Sequence, residues 1–525
     1  MRFPSCALRE KVIKKKRKAK LTFLTNLAGS GVFHKMGLGC CERSVSLMKY
    51  PSVSENLRQI TNPYLPSWEY VPDGEPYVFG DRVYVYGSHD FFNGDLYCMG
   101  DYVCWSAPAD DLGSWRYEGV IYRKDQDPHN DDLQGNLYAP DVTIGPDGRY
   151  YLYYVLSNVN FVSVAVCDTP AGAYEFYGYV HYPDGTLLGL SAGDEAQFDP
   201  GVLTENGRTY LYTGFCGVGD PNKHGAMATV LDVDMLTVLE APAFVIPSTA
   251  TSGGTGFEGH EFYEAPSIRK KDGLYYLIYS SVLFHELCYA VSREPTRGFV
   301  YQGVLVSSGD LHIDTYKPAS KCAYYTANNH GSMVEIGGEW YIFYHRHTNG
   351  TNFSRQGCLE KLHFRPDGTV PQAEMTSCGG CAPLRGLGEY PAYLACNLFN
   401  EVEKTYVPWS GWMDDRFPKI TQEGRDGDEN NGYIANMCPH ATAGFKYFDC
   451  RGVGRIRVRT KGFAAGRLEV RTAWDGETLG SVPVDYANVW HDTEADVAIP
   501  DGVHALYFTF EGEGRLQFAS FTLME

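Results

Sequence analysis

The sequence predicts an all-β protein: a five-bladed β-propeller followed by an antiparallel β-sandwich. Three observations predict it. Aromatic residues are abundant (39 Tyr, 27 Phe, 8 Trp) beside 57 Gly and 28 Pro. Aromatic side chains fit pleated strands, and Gly and Pro punctuate turns. One layout recurs five times, its key residues 58–68 positions apart. The layout stops near residue 377, and short alternating strands of another kind follow.

Taken in order, residues 1–60 carry 13 Lys and Arg against three acidic residues. The basic run KKKRKAK at 14–20 precedes LTFLTNLAGSGVF, which is interrupted by polar residues and lacks a small-residue cleavage pattern. The expectation is a poorly ordered basic tail rather than a signal peptide.

Residues 61–376 hold the five repeats: VPDGEPYVFGDRVYVYGS, YAPDVTIGPDGRYYLYYV, FDPGVLTENGRTYLYTGF, YEAPSIRKKDGLYYLIYSS and NHGSMVEIGGEWYIFYHR. Each contains a hairpin turn marked by Gly, in GDR, PDGR, ENGR, KDGL and IGGE, flanked by runs with the period of a strand. Further strand pairs follow most hairpins, as in CWSAPADDLGSWRYEGVIY at 104–122. Five units of about four strands each make a propeller, which protects its sheet edges by closing into a ring. Residues 377–394 read as a linker. Residues 395–525 read as a sandwich, with GYIANM, GFKYFDC, RIRVRTKG, RLEVRTAW, ALYFTFEG and RLQFASFTLM as strands.

The repeat also places the chemistry. Asp73, Asp141, Asp199, Glu264 and His330 sit at the start of the innermost strand of their units, so they converge at one end of the central channel. Turn capping accounts for an isolated Asp, but not for the same site in five units. The net charge of −19 is the sum of a basic start and a body at −29. An acidic body argues against nucleic acid and suits a neutral ligand or a cation. No run approaches the ~18 apolar residues of a membrane span. The 15 Cys are scattered, with Cys40–Cys41 and Cys378–Cys381 the close pairs. That pattern argues against a zinc site and for a reducing, cytoplasmic setting.

The phrases NPYLPSWEYVPDGEPYVFGDRVYVYGSHD, YAPDVTIGPDGRYYLYY, FYEAPSIRKKDGLYYLIYSS and NNHGSMVEIGGEWYIFYHR, in that order, resemble the blade signatures of glycoside hydrolase family 43. The C-terminal region resembles a family 6-type carbohydrate-binding module. The resemblance implies a β-xylosidase or α-L-arabinofuranosidase acting on pentose-containing oligosaccharides with inversion. It implies Asp73 as general base, Glu264 as general acid and Asp141 as the carboxylate that orients the acid and tunes its pKa. It further implies Arg355 and Tyr138 as sugar contacts and His330 as the axial residue near calcium or another ion, with no organic cofactor. Tyr138 stands where relatives commonly have Trp, and Ala265 where they have Gly. Asp199 is read as a structural turn residue, and Glu258 and Glu261 as loop residues that rival the acid. An inverting mechanism expects the two working carboxyls about 6.5–9.5 Å apart, with one held protonated. The alternative reading is a non-catalytic, lectin-like propeller.

Overall fold

The computed structural model describes residues 59–311, 313, 327–400 and 416–525. The basic tail read over 1–60 therefore lies, but for its last two residues, outside the described residues. Among those described, no helix is long and apolar enough to cross a membrane.

Five antiparallel sheets follow one another along the chain. Their inner strands are Glu75–Phe79, Asp141–Ile144, Gly201–Glu205, Phe262–Lys271 and Ser332–Ile336. Blades 1 to 4 have four strands each in sequential order, and blade 5 has three. The inner hairpins close where the Gly pattern places them. Gly148 and Gly207 sit at φ 83° and 73°, a region that a residue without Cβ enters at no steric cost.

Hydrophobic cores lie between the blades. Val83 and Trp105 of blade 1 pack on Phe343 and Leu359 of blade 5, and Tyr102 packs with Leu152 of blade 2. Leu152's neighbour Tyr153 joins Leu211 of blade 3, and Tyr212 joins Leu277 of blade 4. Tyr276 and Ile278 meet Met333 and Ile342 of blade 5. The ring is thus closed by burial at five seams.

Closure has a second device. The segment before blade 1 runs along the outer strand of blade 5, Arg355–Leu362, where the described residues form no fourth strand. Asn62 carries it. Its Nδ2 donates to the Leu359 carbonyl (2.8 Å), Glu360 Oε1 (2.8 Å) and the Thr376 carbonyl (3.0 Å). Its Oδ1 accepts from the Leu359 amide at 2.9 Å.

The stretch 377–394 is not a linker. Leu384–Arg385 pairs with Thr442–Asp449, and Gly388–Pro391 pairs with Val503–Met524, so both short strands belong to the C-terminal sheet. Leu384 and Tyr390 are buried in it; their apolar side chains, set among Gly and Pro, were what the linker reading overlooked. The C-terminal region is one curled sheet of ten strands. Four of the expected short strands fuse into two long ones, Arg455–Arg471 and Val503–Met524, paired along their length. The curl is possible because Gly466, at φ 150°, lies against the Glu511 carbonyl, where a Cβ would stand 2.2 Å from that oxygen.

Propeller and C-terminal sheet share one core. Met333 and Ile342 lie in the same cluster as Phe445, Phe508 and Phe521. A buried ion pair crosses the joint, Lys446 Nζ to Asp310 Oδ2 at 2.7 Å, and Asn397 donates to the same oxygen at 3.0 Å. At the rim, Gln422 accepts from Tyr70 (2.6 Å) and Asp426 accepts from the Phe92 amide (2.6 Å).

Candidate active site

Cross-strand register identifies equivalent positions in the blades. Glu75 pairs with Tyr86, Asp141 with Tyr153, Gly201 with Tyr212, Ser267 with Ile278 and Ser332 with Phe343. These five make one ring of the channel. Ser267 Oγ bonds Glu75 Oε2 at 3.0 Å and Ser332 Oγ at 2.7 Å, and Arg269 Nη2 donates to Glu75 Oε2 at 2.7 Å. Two residues earlier in each blade come Asp73, Ala139, Asp199, Ala265 and His330, the ring at the channel mouth, with Glu264 beside Ala265.

This register corrects one expectation. Asp141 does not stand beside Glu264. It belongs to the deeper ring, where Tyr77 Oη, the Val142 amide and the Val202 amide all donate to its carboxylate at 2.7 Å. Burial pushes it up to about 6, and Arg269 pulls against that. A strand repeats its facing every two residues. A slip of two therefore keeps the side chain pointing into the channel and moves it one layer down.

The mouth ring holds Asp73, Asp199, Glu264 and His330, all buried. Asp73 and Asp199 have φ of 59° and 44°, a left-handed conformation that Asp tolerates better than most residues. Arg355 Nη1 donates to Asp73 Oδ1 at 2.9 Å. The same guanidinium grips Asp90 through Nε (2.8 Å) and Nη2 (3.0 Å), beneath the ring of Tyr97 at 4.9 Å. His345 Nδ1 lies 3.2 Å from Asp73 Oδ1. His330 Nδ1 lies 3.9 Å from Asp73 Oδ1 and 3.7 Å from Asp199 Oδ2.

The carboxyls are set apart electrically. Burial acts to raise Asp73, but Arg355, His345 and His330 outweigh it and hold the group well below the usual carboxylate range. Glu264 goes the other way. Burial, with the Asp73 charge, pushes it up to about 7, against a hydrogen bond from Asn328 and the charge of Arg355. Asp199 is also raised, first by burial and then by Glu264 and Asp73, with the Ala265 amide opposing. His330 is lowered to about 4, chiefly by burial, with the Asp73 charge opposing.

An arc of partly exposed rings borders the mouth. Tyr138 meets Phe198 edge-on at 5.6 Å, Phe198 meets Phe215 at 5.3 Å, Phe215 meets Tyr263 at 5.3 Å and Tyr263 meets Phe284 at 4.7 Å. Apolar ring faces beside hydrogen-bonding carboxyls suit a sugar, which presents both C–H and O–H groups. Beyond Tyr138 the arc was not found from sequence, since its members come from separate loops and, for Tyr263, the start of a strand. Asp90 and His345 were also missed, although both stand inside repeat motifs, in YGSHD and YHR. The rival acids are loop residues: Glu258 accepts from the Gly256 amide (2.9 Å), and Glu261 from Ser252 Oγ and the Gly259 amide (both 3.0 Å).

A buried carboxylate held ionised beside a buried carboxylic acid, at the mouth of a propeller rimmed by aromatic rings, defines a glycosidase-type acid–base site. Comparison with known proteins agrees. The family model for glycosyl hydrolases family 43 matches residues 61–370. A xylosidase/arabinosidase of Thermoclostridium stercorarium is 65% identical over 468 residues, covering 89% of this chain and 99% of that protein. A xylosidase/arabinosidase of Bacteroides ovatus is 27% identical over 344 residues, 58% of this chain and 96% of its own. Among solved structures, a family 43 arabinoxylan arabinofuranohydrolase of Bacillus subtilis aligns with a TM-score of 0.48 at 20% identity, over 90% of this chain and 99% of that one. The chain belongs to glycosyl hydrolases family 43, and it is a glycoside hydrolase rather than a lectin.

Proposed function

We propose that the chain releases xylose or L-arabinofuranose from xylan- and arabinan-derived oligosaccharides, with inversion at the anomeric carbon. The observation that carries this reading is the opposite setting of Asp73 and Glu264 in one mouth. Inversion needs an acid for the leaving oxygen and a base for the attacking water. Glu264 donates its proton to the glycosidic oxygen as the bond breaks, and Asp73 takes a proton from the water that attacks the opposite face. Asp199, rather than Asp141, is the carboxyl that shares the mouth with Glu264 and competes with it for ionisation, and the Asp73 charge helps keep the proton on Glu264. Tyr138, on the aromatic arc, and Arg355, against Asp73, are the side chains proposed to meet the sugar.

The family resemblance also implies calcium. His330 Nε2 and Glu75 Oε1 face each other at 4.0 Å, and among the described residues no hydrogen bond to that Glu75 oxygen is formed. One imidazole and one carboxylate oxygen, completed by water, would fit an oxygen-seeking cation between them. His330 and Glu75 would hold it, and its charge would favour the ionised form of Asp73. Among the described residues the buried Cys98, Cys104, Cys167, Cys216, Cys288, Cys358, Cys378, Cys396 and Cys450 are free thiols, which supports a cytoplasmic setting. Sugar binding by the C-terminal sheet is proposed on the exposed ring of Phe463; retardation of the protein in a xylan-containing gel, lost in Phe463→Ala, tests it.

The test of the main reading is a panel of para-nitrophenyl glycosides. The expected result is hydrolysis of the β-xyloside, the α-L-arabinofuranoside or both, abolished by Asp73→Asn. Activity confined to a hexoside would overturn the substrate class.

A further inference from the structure

Blade 4 carries a second cluster of ligand-type side chains outside the mouth. Glu286 and Cys288 are two apart on the strand Glu286–Ser292, so they face the same way. His260, on the turn entering the inner strand of that blade, closes over them. His260 Nδ1 lies 2.6 Å from Glu286 Oε1, Cys288 Sγ lies 3.3 Å from the same oxygen, and Cys288 Sγ lies 3.9 Å from His260 Nδ1. The geometry points to a binding site for a zinc-class divalent cation at His260, Glu286 and Cys288, with a fourth position open to water.

The three edges fit the cation. Zinc takes His nitrogen and carboxylate oxygen at about 2.0–2.2 Å and thiolate sulfur at about 2.3 Å in a tetrahedron, which sets ligand atoms roughly 3.3–3.7 Å apart. Of the edges of 2.6, 3.3 and 3.9 Å, the second and third need shifts of at most a few tenths of an ångström, while the His260–Glu286 edge must open by about 0.7 Å or more as the metal replaces the proton between them. On binding, the Cys288 thiol and any protonated His260 release their protons to solvent. One thiolate and one carboxylate then neutralise the dication, so the buried site carries no net charge.

The surroundings hold the ligands in place, as the outer shell of a metal site does. Ser281 Oγ donates to Glu286 Oε1 at 2.6 Å. The His260 ring stacks on Tyr301 at 4.9 Å and 14°, and the His260 carbonyl accepts from Tyr279 Oη at 2.7 Å. Glu286 and Cys288 are fully buried, whereas the His260 side chain is 30% exposed and gives the ion its way in. Sequence spacing gave no hint, because the ligands are one His followed at a distance by E-x-C. Since His260 lies four residues before Glu264, a bound ion would also pin the turn that leads to the acid.

The experiment titrates the metal-stripped full chain with cobalt(II), and then with zinc to displace it. The expected result is one cobalt per chain with a thiolate-to-cobalt charge-transfer band. Zinc should abolish the band, and both metals should raise the melting temperature. Cys288→Ser should lose the band, and His260→Gln should weaken cobalt binding at least tenfold, while Cys378→Ser/Cys381→Ser keeps both signals. His260 is partly exposed, so its variant stays informative if Cys288→Ser folds poorly. No charge-transfer band in the wild type, or a band that survives unchanged in His260→Gln, would overturn the assignment. So would a band lost only with Cys378 and Cys381.

Discussion

At the scale of residues, the chemistry depends on which charge faces which proton. Glu264 is raised to about 7 and Asp73 is held low, so under the proposed mechanism Glu264 carries the alkaline limb of the pH profile. Activity should fall as pH rises through about 7 and the acid loses its proton. Asp199→Asn removes the buried carboxyl whose ionisation competes with that of Glu264, so the acid ionises more easily. The limb should then move to lower pH by about one unit. Asp141→Asn should leave the limb in place, because its carboxylate is engaged by Tyr77 and two amides one layer down. Profiles of kcat against pH for the two variants check this; a limb that moves only in Asp141→Asn would return the tuning role to Asp141. The sequence showed that all these side chains face the channel but not at what depth. Asp141 and Asp73 share a face and differ by one strand period, which a motif alignment without register does not resolve. The aromatic arc was invisible for another reason: Phe198, Phe215 and Phe284 lie in loops and Tyr263 at the start of a strand, where no periodicity links them.

At the scale of elements, strands and turns were legible because alternation and Gly-marked hairpins are local signals. Elements made by distant pairing were not. The segment that completes blade 5 contains no strand pattern. A single Asn substitutes for the ladder, with three bonds donated and one accepted across some 300 residues. Asn62→Ala takes these bonds from the Leu359 carbonyl and amide and the Thr376 carbonyl, while Glu360 Oε1 keeps the Thr376 amide at 2.6 Å. At about 1 kcal/mol or more per lost bond, the ring should lose about 3 kcal/mol or more of stability. Urea unfolding followed by tryptophan fluorescence checks this; an unchanged midpoint would show that the seam does not rest on Asn62. The strands read as 455–462 and 467–474 are joined in one strand, Arg455–Arg471, since Gly466 permits the bend that the pattern reads as a break.

At the scale of the molecule, the C-terminal sheet is built into the enzyme. It shares a core with blades 4 and 5 and crosses the joint with the buried Lys446–Asp310 pair. Removing one partner of such a pair leaves a buried charge unmatched, at a cost of about 3–5 kcal/mol. Lys446→Met should therefore lower the melting temperature of the whole protein in one transition. Two resolved transitions in scanning calorimetry would instead mark the sheet as an independent module.

The central claim is that Glu264 is the acid and Asp73 the base. It is tested most directly by kcat/KM of Glu264→Gln relative to wild type, across aryl xylosides or arabinofuranosides of graded leaving-group acidity and on a natural pentose oligosaccharide. The account predicts a loss of about 10²–10⁴-fold on the oligosaccharide, shrinking steadily as the leaving group needs less protonation. Asp73→Asn should be impaired by a similar factor on every substrate. A Glu264→Gln enzyme that is equally slow on all substrates, or near wild type on the oligosaccharide, would contradict it.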